Sequence, residues 1–205
     1  MTGLTAPPAL DPRALRRGLQ KTYAKIALFP ERVHHIHTGR KLAERLGYTA
    51  EELAGVPETA LAAFCGAARP FEVGTIRNGE TVLDIGCGSG TDLLIAARQA
   101  GPSGRVIGVE FCEEMAKTAE EAARQAKMGA VEIRRGEATA LPVDEASVDV
   151  VLANGVINHL CPDKLAALAE VHRVLRPGGR LLLGDMAVGI AMPPEVREMV
   201  DLWTT

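Results

Sequence analysis

Hydrophobic positions change their spacing part-way along the chain. From Arg13 to about Phe71 they recur every three or four residues: Leu15, Leu19, Tyr23 and Ile26 share one face, and Leu42 and Leu46 another, with Gly47 as a stop. Short helical pieces around Glu51 and Glu58 follow, and no strand pattern interrupts them. After Asn78-Gly79, a turn dipeptide, short β-branched runs alternate with longer amphipathic stretches. Strands are predicted at Thr81 to Ile85, Arg105 to Glu110, Val131 to Arg135, Val148 to Ala153 and Arg180 to Leu183. Helices are predicted at about Asp92 to Ala100, Glu113 to Lys127 and Asp163 to Leu175, the last closed by Pro177-Gly178-Gly179, and again at Glu195 to Trp203 after Pro193-Pro194. Such alternation implies an α/β fold, a parallel sheet of about five strands with helices on both faces. The first twelve residues, with three prolines, read as a loose tail that ends where Pro12 can start a helix. Three regions result: a tail at 1–12, a helical N-terminal arm or lid at 13–75 and a Rossmann-like domain at 76–205.

Composition narrows the partners. With 47% hydrophobic and 24% charged residues the 205-residue chain can bury a core, and a net charge of -3 offers no basic field for nucleic acid or anionic lipid. A small molecule is the expected ligand. Cys65, Cys87, Cys112 and Cys161 form no CxxC pair, so neither a zinc knuckle nor a disulfide framework is indicated, and they read as reduced thiols. The N-terminal stretch has prolines and charges where a signal peptide is apolar, and the most apolar segment, Leu181 to Met192, is broken by Asp185. A cytoplasmic protein away from membranes is expected.

Candidate chemistry begins at Val82-Leu83-Asp84-Ile85-Gly86-Cys87-Gly88-Ser89-Gly90, an apolar strand that runs into a glycine loop and opens a helix. Three glycines at alternate positions let the backbone turn sharply and bring amides against a ligand, and the helix start favours a negative group. The loop's GxGxG spacing differs from the GxGxxG of dinucleotide sites, and a tight turn without a ligand is the plain alternative. About twenty residues on, Glu110 ends the next strand, where an acid can accept both hydroxyls of a ribose; a helix-start acid beside Glu113 and Glu114 is the other reading.

Together these motifs resemble the class I S-adenosylmethionine-dependent methyltransferases. DIGCGSG at 84–90 is similar to the family's first motif and GVE at 108–110 to its ribose acid. The segment at 136–160 resembles the stretch from the adenine edge to the fourth strand, and EVHRVLRPGGRLLLGD at 170–185 the helix, turn and fifth strand. The resemblance covers about Thr81 to Asp185. It implies S-adenosylmethionine as cofactor, with Gly86, Cys87, Gly88, Ser89 and Gly90 as its loop, Asp84 beneath the loop to orient its ammonium, and Glu110 on the ribose. Phe111 is then expected on the adenine face, Glu137 and Ala138 at the adenine edge, and Asn154 with Gly155 near the methionine part. An activated methyl donor needs an aligned acceptor more than an elaborate catalytic set, so the lack of a triad or metal cluster fits.

Within the superfamily, the stretches at 93–110, 154–158 and 162–164, with DLW at 201–203, resemble arsenite methyltransferases. Those enzymes hold trivalent arsenic through cysteines, at positions that match Ala67 and Gly155 here, with Cys65 and Cys161 nearby. Substrate candidates are therefore Cys65, Cys161 and His37, the last in a segment at 35–48 that the resemblance places as a lid. His159, just past the fourth strand, is the candidate general base. His34, His35 and His37 lack a supporting metal ligand, so no metal site is predicted.

The expected function is methyl transfer to a small-molecule acceptor, arsenite or another thiophile among the candidates. A cofactor-binding domain without full activity and a dinucleotide-dependent oxidoreductase are the competing readings. Related enzymes finish with two further strands, so the length reads as a C-terminally short domain whose open fifth strand invites a homodimer.

Overall fold

The computed structural model of the chain describes residues 11–160 and 163–186. Asp11 caps the first helix by accepting from the Arg13 amide at 2.9 Å, and Pro12, with its fixed φ, occupies the first turn. Helix α1 (Pro12–Leu28) buries Leu15, Leu19 and Ile26, the predicted apolar stripe. Three short helices follow, α2 (Arg40–Arg45), α3 (Ala50–Leu53) and α4 (Glu58–Ala62). Gly47 ends the α2 region at φ +88°, and Thr49 with Glu52 forms a reciprocal cap on α3. Among the described residues no strand precedes Thr81.

The sheet then assembles as the alternation implied. Strands β1 (Thr81–Ile85), β2 (Arg105–Glu110), β3 (Val131–Arg135), β4 (Val148–Asn154) and β5 (Leu175–Gly184) are all parallel, in the order β3-β2-β1-β4-β5. Helices α5 (Thr91–Ala100), α6 (Glu113–Gln125) and α7 (Lys164–Val174) are the crossovers. Strand order reverses between β1 and β4, which opens a crevice at their C-terminal ends. Both faces of the sheet are covered, so β1 and β4 are rich in apolar residues on both faces, with Val82, Leu83, Val150, Val151 and Leu152 fully buried.

The arm divides in two. Residues from Ala43 to Ile76 share one core with α5 and with Val82, Val106 and Val150 of the sheet. Helix α1 instead docks on the start of α6, where Ile26 meets Ala63, Cys112 and Met115. One strand boundary differs from expectation. Helix α7 stops at Val174 and β5 begins at once, because Leu175 pairs with Val148, so Pro177-Gly178-Gly179 lies inside the strand rather than closing the helix. The ladder absorbs it as a register shift opposite Val148 and Val150, with Gly178 at φ +82°. The helix predicted at 195–203 lies outside the described residues. No helix among the described residues is long and apolar enough to cross a membrane.

Candidate functional site

A cavity of about 370 Å³ opens at the crevice. Its floor is the turn from β1 into α5. Gly86 and Gly88 adopt φ of +65° and +54°, and the Gly86 and Cys87 amides both donate to Val109 O, at 2.7 and 3.2 Å. A Cβ at Gly86 would stand 2.5 Å from Val156, so the chain passes too close for any side chain there. The Glu110 carboxylate accepts from the Gly88 amide at 2.9 Å and from the Cys112 amide at 2.8 Å, which fixes it at the end of β2 beside the loop. Burial raises its pKa against these bonds, which favour the charged form.

Beneath the loop lies a buried acidic group. Asp84, Asp92 and Glu110 are each at most 6% exposed. Burial, then the charges of Asp92 and Glu110, hold the Asp84 carboxyl well above the usual carboxylate range. Among the described residues nothing hydrogen-bonds its Oδ2, and Thr91 Oγ1 is likewise unpaired. A buried acid with an unpaired oxygen facing a ligand cavity suits a cation. Asp92 is better satisfied: Tyr48 donates to it at 2.6 Å and Asn154 at 2.8 Å, and burial still leaves its pKa up at about 6.

Asp84, Gly86, Cys87, Gly88, Ser89, Glu110, Phe111, Glu137, Ala138, Asn154, Gly155, Cys65 and His159 all line this one cavity. Several do so in ways the sequence did not suggest. The Asn154 Oδ1 accepts from the Ala67 and Ala68 amides at 2.8 and 3.0 Å, while Nδ2 donates to Asp92 and Ala68 O, so the side-chain amide ties β4 to that loop and to α5. Ser89 donates to Ala60 O at 2.7 Å and ties the loop to α4. The Cys87 sulfur packs against β2, where a Cβ on Gly108 would approach it to 2.7 Å. Gly90, at φ +94°, lies outside the lining and lets α5 pass close to Ala119.

The lid differs too. His37 is exposed and no residue of the 35–48 segment lines the cavity; His34 bonds locally to Phe29 O. Leu15, Arg16, Leu19 and Tyr23 of α1 line it instead. The apolar stripe that predicted this helix was therefore also a cavity wall. Arg16 pairs with Glu137 and stands 5.6 Å over the Phe111 ring. Tyr23 meets His159, Oη to Nε2, at 3.1 Å. Tyr23 and Arg16 were missed as site residues, because their contacts with 159 and 137 exist only after folding, whereas Thr91 and Asp92, also missed, directly follow the glycine loop and could have been included with it.

Sulfur is arranged differently from the arsenite pattern. The two matched positions do face each other, since a Cβ on Gly155 would lie 3.4 Å from that of Ala67, yet neither carries a thiol. Cys65 lines the cavity and Cys112 packs beneath, and burial pushes their pKa values to about 12 and about 11, so both are protonated thiols. Cys161 lies outside the described residues.

Comparison with known proteins gives a consistent group. Residues 76–204 match a family described as a methyltransferase domain. An arsenite methyltransferase of Halobacterium salinarum is 42% identical over 163 residues, 79% of this chain and 41% of the relative. A demethylmenaquinone methyltransferase of Lactococcus lactis is 39% identical over 105 residues, 51% of this chain and 41% of the relative. The chain thus spans about two fifths of the length of either relative. Among solved structures, an arsenic(III) S-adenosylmethionine methyltransferase of Chlamydomonas reinhardtii superposes with a TM-score of 0.67 at 33% identity, covering 74% of this chain and 53% of that one.

Proposed function

Because the chain belongs to the methyltransferase domain family, whose cofactor is S-adenosylmethionine, we propose that its cavity transfers a methyl group to a small-molecule acceptor. The unpaired Asp84 Oδ2 carries this reading: a buried acid under a glycine loop suits the cofactor's ammonium, and nothing else among the described residues meets that oxygen. The residues present suit the rest of the group as well. Glu110, held by two amides, keeps lone pairs for ribose hydroxyls, and the backbone at Gly88 is open, with nothing nearer than 4.0 Å to where a Cβ would stand. Phe111 and Ala138 offer an apolar slot for adenine, with Glu137 at its edge.

When bound, the cofactor supplies an electrophilic methyl on a sulfonium, so the protein's share is alignment and exclusion of water. Leu15 and Leu19, both nearly fully buried, exclude water on the α1 side. Asn154 braces the Ala67–Ala68 loop, next to the lining residues Phe64, Cys65 and Gly66. Neither Ala67 nor Gly155 carries a thiol, which favours an organic acceptor over a metalloid. Cys65 supports arsenite as the second reading, since its thiol lines the cavity while that of Cys87 packs against β2.

Calorimetry with S-adenosylhomocysteine and with NAD tests the donor site: S-adenosylhomocysteine should bind and NAD should not, and NAD binding alone would overturn the reading. Transfer of a labelled methyl to a panel of hydroxylated rings and arsenite tests the acceptor. Arsenite protection of Cys65 from alkylation would favour the second reading, and unchanged alkylation would remove it.

A further inference from the structure

Two side chains far apart in sequence meet inside the cavity. Tyr23 comes from α1 and His159 from the 3-10 turn Ile157–Leu160 that follows β4, and their polar atoms stand 3.1 Å apart. Their rings are edge-on at 6.1 Å, and Tyr23 is edge-on to Phe111 at 6.4 Å. Both are half-buried and both line the cavity, with Val156, Leu160, Leu19 and Cys65 among the lining residues. Burial and the charges of Cys65, Glu110, Asp185 and Cys112 all hold the Tyr23 phenol well above its usual value, so it remains a hydrogen-bond donor.

We propose that Tyr23 and His159 form the acceptor-oxygen site, and that the acceptor is a flat apolar compound bearing an acidic hydroxyl, of the phenol class. This rests on the donor-site reading above. A hydroxyl is at once a donor and an acceptor, and it fits by inserting into the existing bond: it accepts from the Tyr23 O–H and donates to Nε2 of His159. A metalloid or thiolate nucleophile already has its lone pair and gains nothing from a base, whereas a hydroxyl must lose its proton as it reacts. The acceptor's O–H bond breaks as its oxygen bonds to the methyl carbon. The S–C bonding pair stays on the departing sulfur, which becomes a neutral thioether, and the proton passes to Nε2 of His159. Atoms and charge balance, with the donor's positive charge ending on imidazolium. The aromatic edges of Tyr23 and Phe111 suit a ring, and the apolar walls disfavour a charged acceptor.

The test uses the full chain saturated with S-adenosylhomocysteine and 4-nitrophenol as probe, whose phenolate is visible by its absorption. At one fixed neutral pH, the wild type should bind the probe and increase its phenolate fraction. Tyr23→Phe should weaken binding at least about tenfold, the loss expected when a buried hydrogen bond is removed. His159→Gln should weaken it similarly and abolish the phenolate increase. Neither variant should alter the affinity for S-adenosylhomocysteine or for 4-nitroanisole, the same ring with its oxygen capped, and retained S-adenosylhomocysteine binding reports that each variant is folded. Tyr23→Phe removes a single oxygen and keeps the ring, so it carries the test if His159→Gln fails to fold. Equal 4-nitrophenol binding in wild type and variants, or none by wild type that holds S-adenosylhomocysteine, would overturn the proposal. A wild type that does not bind S-adenosylhomocysteine would instead overturn the donor-site reading.

Discussion

The two ends of the cavity are built by different means. The floor beneath Gly86 and Gly88 is made of backbone, with positive φ angles, amides bonded to Val109 O and the Glu110 carboxylate, and one strand-to-helix turn contained in nine consecutive residues. The opposite end is made of side chains that meet across the fold, Tyr23 with His159. Backbone-built sites tolerate almost no change of residue type at their tight points, while side-chain-built sites can be retuned one atom at a time. The first end suits a ligand common to a family and the second a ligand that differs among its members.

Gly86→Ala should break the contrast most severely. It forces a left-handed φ on a residue with a Cβ and drives that Cβ into Val156. Affinity for S-adenosylhomocysteine should fall at least about 100-fold, equivalent to roughly 2.8 kcal/mol. Retained affinity in calorimetry would show that the loop is a turn and not a cradle.

Asp84→Asn sharpens it by separating binding from stability. The side chain is buried, and its carboxyl is destabilised by burial and by its acidic neighbours, so an amide of the same shape should melt no lower and plausibly higher than wild type by differential scanning fluorimetry. Its affinity for S-adenosylhomocysteine should nevertheless fall by about 10- to 100-fold, because the ammonium loses its counter-charge. A variant that binds as well as wild type would displace Asp84 from its assigned place.

A third test is a pH dependence. Burial raises the Asp92 pKa from 3.8 to about 6, so between those values the folded chain holds a proton that the unfolded chain has released. The stabilisation from protonation is complete below the lower value and is lost as pH rises through about 6. The melting temperature of wild type should therefore rise relative to Asp92→Asn as the pH drops from 7 towards 4, at roughly 2–4 °C per kcal/mol for a chain of this size. A constant difference across that range would contradict the assignment.

The same contrast explains what could be read before folding. The strands, their parallel order and the glycine loop follow from local spacing, and Glu110 from its distance to that loop. Pro177-Gly178-Gly179 misled because a turn signal says where the chain bends, and pairing of Leu175 with Val148 decided that it bends within a strand. Asn154 lines the cavity, and its bonds to the Ala67 and Ala68 amides could not be read beforehand because those amides approach it only in the folded chain. Tyr23 looked like one more member of an apolar stripe. Nothing in its neighbourhood along the sequence marks a hydroxyl that will meet residue 159.

Helix α1 carries Arg16 and Tyr23 seven residues apart, two turns or about 10.5 Å along its axis. A rigid helix presents both contacts together, so an opening that frees Glu137 also tends to free His159. Anything that enters or leaves past this helix breaks both contacts in one event. If α1 shifts as one body, the two contacts would be made and lost together, so a change that weakens either would weaken the other.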